Sequence, residues 1–375
     1  MTGYHHETYA FPLGDADFER PARCKVREPR SGLLWFDRRC FDSEEQLLRA
    51  LAGRVTRVPA LVRAGDMELQ RFIEGETLGA RHPSGTVVPP AMSDQIMDLF
   101  RELASISSDT LAVARRCERE DRVDDGDTAA FIERLITFTE ERIYDANSDK
   151  FAALFGSFGL DSDSFKCLRQ HVLTLSERPF CLLHADLHRE NFIVDHENQL
   201  WIIDWELAMI GDPLYELATH LYWMRYPVDQ ERRVIQQWCA TVEEVRPGSA
   251  SGWERDLPLV LDYRKAQSVF ADIIRLCLSL DVGRPVGVRS VLRGATEVRK
   301  LLTLAAQPLG LGTVPSVAQI SNSLLLWHRE HGVAWHGDDV VAFKGRAGVR
   351  KVRRLGAWAR RVRGVPRARP GSRVR

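Results

Sequence analysis

Two short apolar runs, Phe192-Ile193-Val194 and Leu200-Trp201-Ile202-Ile203, flank the polar connection Asp195-His196-Glu197-Asn198-Gln199. Runs this short, joined by polar turn residues, predict an antiparallel hairpin, and a hairpin brings its two outer ends together. Asn191 precedes the first strand and Asp204 follows the second, so pairing sets an amide oxygen beside a carboxylate. Such oxygens suit Mg²⁺, which is octahedral, prefers hard oxygen ligands and leaves several positions to water or phosphate. Asp186, five positions before Asn191, is then placed to accept or orient the proton of a hydroxyl group.

Other chemistry has to be weighed against this. A D-x-x-x-x-N spacing arises by chance, and a loop carboxylate often serves as a turn or helix cap. His184, Asp186 and His188 alternate, as the ligands of a metallohydrolase strand would. No second histidine-rich cluster follows, however, and the nearby His196 and His220 fall in an expected turn and an expected helix.

The run His184-Ala185-Asp186-Leu187-His188-Arg189-Glu190-Asn191, with Asp204 after the hairpin and Gly211-Asp212-Pro213-Leu214-Tyr215-Glu216-Leu217-Ala218 beyond it, resembles the catalytic segment of the aminoglycoside phosphotransferase and choline kinase superfamily. Glu216 stands where that family more usually has Asp. The resemblance implies an α+β, bilobal protein-kinase-like fold with a small β-rich N-lobe and a larger, mainly helical C-lobe. It implies Asp186 as the catalytic aspartate, His184 as the histidine that opens the catalytic loop, and Asn191 and Asp204 as ligands of Mg²⁺, with ATP or GTP as cosubstrate.

The amino-terminal part fits the same family more loosely. Cys24-Lys25-Val26-Arg27-Glu28-Pro29 resembles the strand whose basic residue contacts the α- and β-phosphates; Arg27 is the best register, and Lys25 lies two residues away on the same face. Glu44 or Glu45, on a helix expected from Ser43 to Leu51, would pair with it. Val58 to Val62 and Met67 to Glu76 read as two strands ending in the interlobe connection, where the backbone near Gln70, Phe72 and Ile73 would meet the nucleotide base. The sole candidate for a phosphate-loop glycine is Gly14, which reads better as a turn residue.

The chain has 375 residues and 44% hydrophobic content, enough for a large core. We read residues 1–75 as the nucleotide-binding lobe, 76–339 as the helical lobe with the acceptor site, and 340–375 as a basic tail. Apolar residues recur at helical spacing from Ile96 to Ala104, Phe131 to Ile143 and Leu257 to Leu280. No apolar run approaches the roughly 18 residues that span a bilayer, and the first residues lack the features of a signal peptide. Seven scattered cysteines without a C-x-x-C pair fit reduced thiols, so a cytoplasmic protein is expected.

The neutral total charge hides an asymmetry. Residues 340–375 hold 13 Lys or Arg and no acid, which leaves 52 − 13 = 39 basic against 52 acidic residues elsewhere, a net −13. An acidic body suits a neutral or cationic acceptor. The tail, with Val352, Leu355, Ala359 and Val362 among arginines, would form an amphipathic helix or stay disordered, and could touch an acidic surface or a polyanion. Seven lysines against 45 arginines suggest a GC-rich genome, compatible with an antibiotic-modifying role. The expectation is a small-molecule O-phosphotransferase whose acceptor hydroxyl belongs to an antibiotic, an amino alcohol or a sugar metabolite. Its rivals are a catalytically inactive nucleotide-binding scaffold and a nucleic-acid-binding protein acting through the tail.

Overall fold

The computed structural model describes residues 6–12, 23–29, 39–64, 67–117, 122–280 and 287–331. Gly14 and the whole basic tail lie outside them. The described residues all belong to one compact unit.

Four antiparallel strands, β1 (His6–Pro12), β2 (Arg23–Pro29), β3 (Leu61–Ala64) and β4 (Met67–Arg71), form a sheet in the order β1-β2-β4-β3. Period-two alternation gives its two faces different contents. Cys24 and Val26 pack with Phe11, Val62 and Leu69 in a small apolar cluster. Lys25 pairs opposite Gln70, and Gln70 opposite Leu61, so these three share the other face. Leu61 packs there on the main core, to which the buried Leu47, Leu48 and Leu51 of helix α1 (Glu44–Leu51) also belong. The expected helix is capped rather than begun by Ser43, whose Oγ accepts the Gln46 N–H at 3.3 Å. Glu44 and Glu45 in the first turn and Arg49 in the last complement the helix dipole.

Two strand boundaries differ from the sequence reading. The run from Val58 becomes a strand only at Leu61, after Pro59, which has no N–H to give a ladder. The run from Met67 stops at Arg71, and Glu76–Thr77 forms a separate strand, β5, in another sheet.

The rest is mainly helical. After β5 come α2 (Leu78–Arg81), α3 (Pro90–Ala104), α4 (Thr128–Phe138), α5 (Ser148–Ser157) and α6 (Ser162–His171). Four short strands follow: β6 (Cys181–Leu183), β7 (Phe192–Val194), β8 (Leu200–Ile202) and β9 (Met209–Gly211). The chain then builds α7 (Pro213–Met224), α8 (Val228–Val245), α9 (Trp253–Leu280), α10 (Val288–Ala305) and α11 (Val317–His331). The amphipathic run from Phe131 to Ile143 is α4 continued by a π-helical turn over Thr139–Tyr144. Strands β5-β7-β8 form one small sheet and β6-β9 another. The small β-rich lobe followed by a larger helical lobe is the bilobal α+β fold. Among the described residues, no helix is long and apolar enough to cross a membrane.

Candidate active site

The hairpin forms in the expected register, Phe192 opposite Ile202 and Val194 opposite Leu200. Asp195 closes its turn: Oδ1 accepts the Glu197 and Gln199 N–H groups, each at 2.8 Å, and Oδ2 accepts the Trp201 indole N–H at 2.8 Å. Burial alone would raise the pKa of Asp195, but these bonds hold it below the usual carboxylate range. Past the last strand pair, the Ile203 N–H donates to the Asn191 carbonyl at 3.0 Å, so Asn191 and Asp204 stand at the same end. Asp204 has a left-handed backbone, φ 71° and ψ 60°, where Asp is better tolerated than most residues.

Asp186 is held from one side. Its Oδ2 accepts from Asn191 Nδ2 at 3.0 Å and lies 3.2 Å from His188 Nε2. The same Asn191 nitrogen donates to the Asp186 carbonyl at 2.9 Å, which commits the amide nitrogen and leaves Oδ1 of Asn191 as the atom a cation would use. His188 Nδ1 accepts the Glu190 N–H at 3.1 Å, so we assign the proton to Nε2, facing Asp186. Burial lowers the His188 pKa, but the hydrogen bond and charge of Asp186 outweigh it and the net shift is upward. That shift opposes the Glu190 bond, since an imidazolium has no lone pair at Nδ1. We favour the neutral tautomer on geometry.

Ala185, just before Asp186, has φ 63°, a conformation that costs a non-glycine residue on the order of 1–2 kcal/mol. Glu216 of α7 supports it, with Oε2 accepting the Ala185 N–H at 2.8 Å. Burial pushes the Glu216 carboxyl up to about 7, against the lowering effect of backbone bonds from Ala185 and His184. The start of α7 is itself fixed. Asp212 caps it through the Leu214 N–H at 2.8 Å and binds the buried Arg178, which also reaches Asp256 at 2.8 Å.

His184, placed with Asp186 as catalytic by the sequence, is 0% exposed. Its Nε2 donates to the Ile203 carbonyl at 3.1 Å, and its ring lies against Trp205 with centroids 4.7 Å apart. Burial lowers its pKa to about 4, so it is neutral. It braces the segment of Asp186 against that of Asp204 and has no open path to a substrate, which makes it a positioning residue. That bond also turns it away from the metallohydrolase arrangement. Among the described residues no group of three or more His, Cys, Asp or Glu could hold a metal. His220 of α7 braces the same loop, donating from Nδ1 to the Leu187 carbonyl at 3.0 Å and meeting Tyr226 Oη at 2.9 Å.

On the sheet side, Lys25 is 8% exposed on the face that α1 covers. Of Arg27, only the backbone is described, paired with Thr8. Glu44 Oε1 accepts the Trp205 N–H at 3.0 Å, tying α1 to the residue after Asp204, and Arg39 pairs with Glu206 at 2.9 Å. Glu45 instead takes the Ser43 hydroxyl at 2.7 Å. Gln70 is 3% exposed, with no partner for Oε1. The Arg71 and Phe72 N–H groups are engaged by the Ala60 and Arg23 carbonyls, both at 2.8 Å, and neither is free for a base. Ile73 follows, half-buried.

The sequence reading missed His188 as a support for Asp186, and the bracing by His220. His188 had a signal, its place two residues from Asp186 in the same loop. His220 had none, because its partner Leu187 is 33 residues away.

Solved structures match the chain at low identity. A choline/ethanolamine kinase family protein from Mesorhizobium loti is 14% identical, over 85% of this chain and 92% of that one, with a TM-score of 0.44. A macrolide 2′-phosphotransferase from Brachybacterium faecium is 14% identical, over 82% and 93%, with a TM-score of 0.41. An aminoglycoside phosphotransferase with ADP bound is 17% identical, over 81% and 95%, with a TM-score of 0.42. Likeness at this level says nothing about substrate. The model of the phosphotransferase enzyme family matches residues 3–253, about two thirds of the chain, and the chain belongs to that family.

Proposed function

We propose that the protein transfers the γ-phosphoryl group of a nucleoside triphosphate to a hydroxyl of a small molecule. The observation that carries this is the grouping at the hairpin end. Asp186 has both of its neighbouring donors on Oδ2, which leaves Oδ1 to take a proton, and Asn191 and Asp204 stand beside it with hard oxygens. Asn191 and Asp204 fit Mg²⁺, which when bound would offset charge on the phosphates. The acceptor O–H gives its proton to Asp186, its oxygen forms the new bond to the γ-phosphorus, and the bond to the bridging oxygen breaks to release the nucleoside diphosphate. Lys25, buried on the α1 side of the sheet, is the proposed contact to the non-transferred phosphates, with Glu44 at the same junction. The Ile73 backbone is the proposed contact to the base, ATP or GTP. Such a reaction belongs in the cytoplasm, with its nucleotide.

The test is incubation of the full chain with Mg²⁺, ATP or GTP and hydroxylated antibiotics and metabolites, with mass spectrometry for one added phosphate. A chain that binds nucleotide but transfers phosphate to nothing would support the scaffold instead. The kept trio of Asp186, Asn191 and Asp204 favours transfer, because a scaffold needs none of the three.

A further inference from the structure

Helices α7 and α9 pack side by side, with Tyr222 Oη 3.0 Å from Ser268 Oγ between them. Arg264 lies at this junction, its guanidinium carbon 6.0, 5.9 and 5.8 Å from the ring centroids of Tyr215, Tyr222 and Trp223. Its one hydrogen-bond partner among the described residues is Gln267 Oε1, on the same helix. The two most buried guanidinium groups are satisfied differently, Arg178 by two carboxylates and a carbonyl and Arg189 by three carbonyls, whereas Arg246 Nε, like that of Arg264, is shielded without an acceptor. Arg264 Nε is shielded from solvent with no acceptor, and so is the indole Nε1 of Trp223. Two such donors on one patch are costly unless something accepts from them, roughly 1–3 kcal/mol for each unsatisfied group.

The patch adjoins the proposed base. The Trp223 ring is 6.4 Å from the His188 ring, edge to face, and His188 Nε2 is 3.2 Å from Asp186. Burial lowers the Arg264 pKa, but the surrounding tyrosines and the charge of Asp186 outweigh it, so the guanidinium keeps its charge. Arg264 belongs to the helical lobe and Lys25 to the sheet, so the two cations serve different places.

We propose that Arg264 and the Trp223 indole N–H form an oxyanion subsite of the acceptor pocket. The acceptor is then a hydroxylated molecule bearing a carboxylate, phosphate or sulfate, rather than a polycationic aminosugar. A guanidinium with an unsatisfied Nε–H, beside an unsatisfied indole N–H, matches an oxyanion, whereas an ammonium group there would meet a like charge. The net −13 of the body does not decide the matter, because surface charges beyond about 8–10 Å are screened and the nearest fixed cation is not. The inference rests on the phosphotransferase reading and names its substrate class.

The experiment measures release of nucleoside diphosphate by the full chain with Mg²⁺-ATP and Mg²⁺-GTP and three acceptor sets: sugar acids and hydroxy acids, the matching neutral sugars, and aminoglycosides. Nucleotide binding is read separately from the Tm shift. We expect kcat/KM for the best acid to exceed that of its neutral analogue by at least about tenfold. Arg264→Gln should erase that preference mainly by raising KM, and Arg264→Lys should recover part of it. Greatest stimulation by aminoglycosides, stimulation by neutral sugars but by no acid, or an acid preference that survives in Arg264→Gln overturns the inference while leaving phosphoryl transfer standing. No nucleotide binding at all overturns the phosphotransferase reading and the subsite together.

Discussion

Asp186 shows at the scale of one residue how the site is prepared. His188 and Asn191 both hold Oδ2, which fixes the carboxylate and leaves Oδ1 for the proposed proton transfer. Asp186→Ala is expected to lower kcat by on the order of 10²–10⁴, with nucleotide affinity kept within a few-fold, as checked by product release and calorimetry. Glu216 makes a different prediction. Its pKa rises from 4.5 unfolded to about 7 in the fold, so between those values the folded state binds more protons and stability falls as pH rises. Glu216→Gln should remove that fall, worth on the order of 1–3 kcal/mol, in denaturant melts compared at pH 5 and pH 7.5. His184 runs the other way: a pKa depressed to about 4 gives stability present above 6.5 and lost as pH falls toward 4. A wild-type minus variant difference that stays flat with pH would show that Glu216 does not titrate there. That Asp186, Asn191 and Asp204 come to one end of the hairpin was legible because their spacing is local. The bond from Glu216 to Ala185 was not, because it joins residues 31 apart and Glu216 reads in sequence as an ordinary first-turn acid.

Among the elements, the hairpin was the most legible, since five residues between two apolar runs leave few ways to pair. The strand after Met67 was misread because the hydropathy pattern does not mark where a chain leaves one sheet for another. Gly75 marks that departure: a Cβ on it would lie 2.3 Å from the Val194 carbonyl oxygen. Gly211 is the other tight point, where a Cβ would meet the Phe131 ring at 2.3 Å and Leu183 at 3.1 Å. A ring enclosed in the core cannot step aside, so Gly211→Ala should cost roughly 1–3 kcal/mol and lower Tm by several degrees. An unchanged Tm would mean that β9 shifts freely. Glycine in the motif before Asp212 is thus required by packing, which only the structure shows.

At the scale of the whole molecule, Arg178 joins the segment before β6 to the start of α7 and to α9, through Asp212 and Asp256. It is 1% exposed. Arg178→Met leaves the buried Asp212 without its cation and takes from Asp256 one of its two, Arg255 being the other, and should destabilise by about 3–5 kcal/mol, a loss measurable in urea and larger than that of any surface pair. Recovery in the triple change with Asp212→Asn and Asp256→Asn would locate the cost in the stranded charges. Nothing in the sequence marked this cluster, since its members lie 34 and 78 residues apart. The charge asymmetry of the tail was legible, but the residues that carry it lie outside the described structure.

The hairpin between Asn191 and Asp204 also has a history in time. One edge is paired to Glu76–Thr77, and on the other side the Ile202 N–H donates to the Arg57 carbonyl at 2.9 Å. Both partners are synthesised before the hairpin, the later of them 192 − 77 = 115 residues ahead of β7. At roughly 5–20 residues per second, the nascent chain carries those unpaired backbone groups for about 6–23 s. Open strand edges recruit other chains. The ribosome-bound chain is therefore open to pairing with other chains at these groups until the residues of the proposed site have themselves been made.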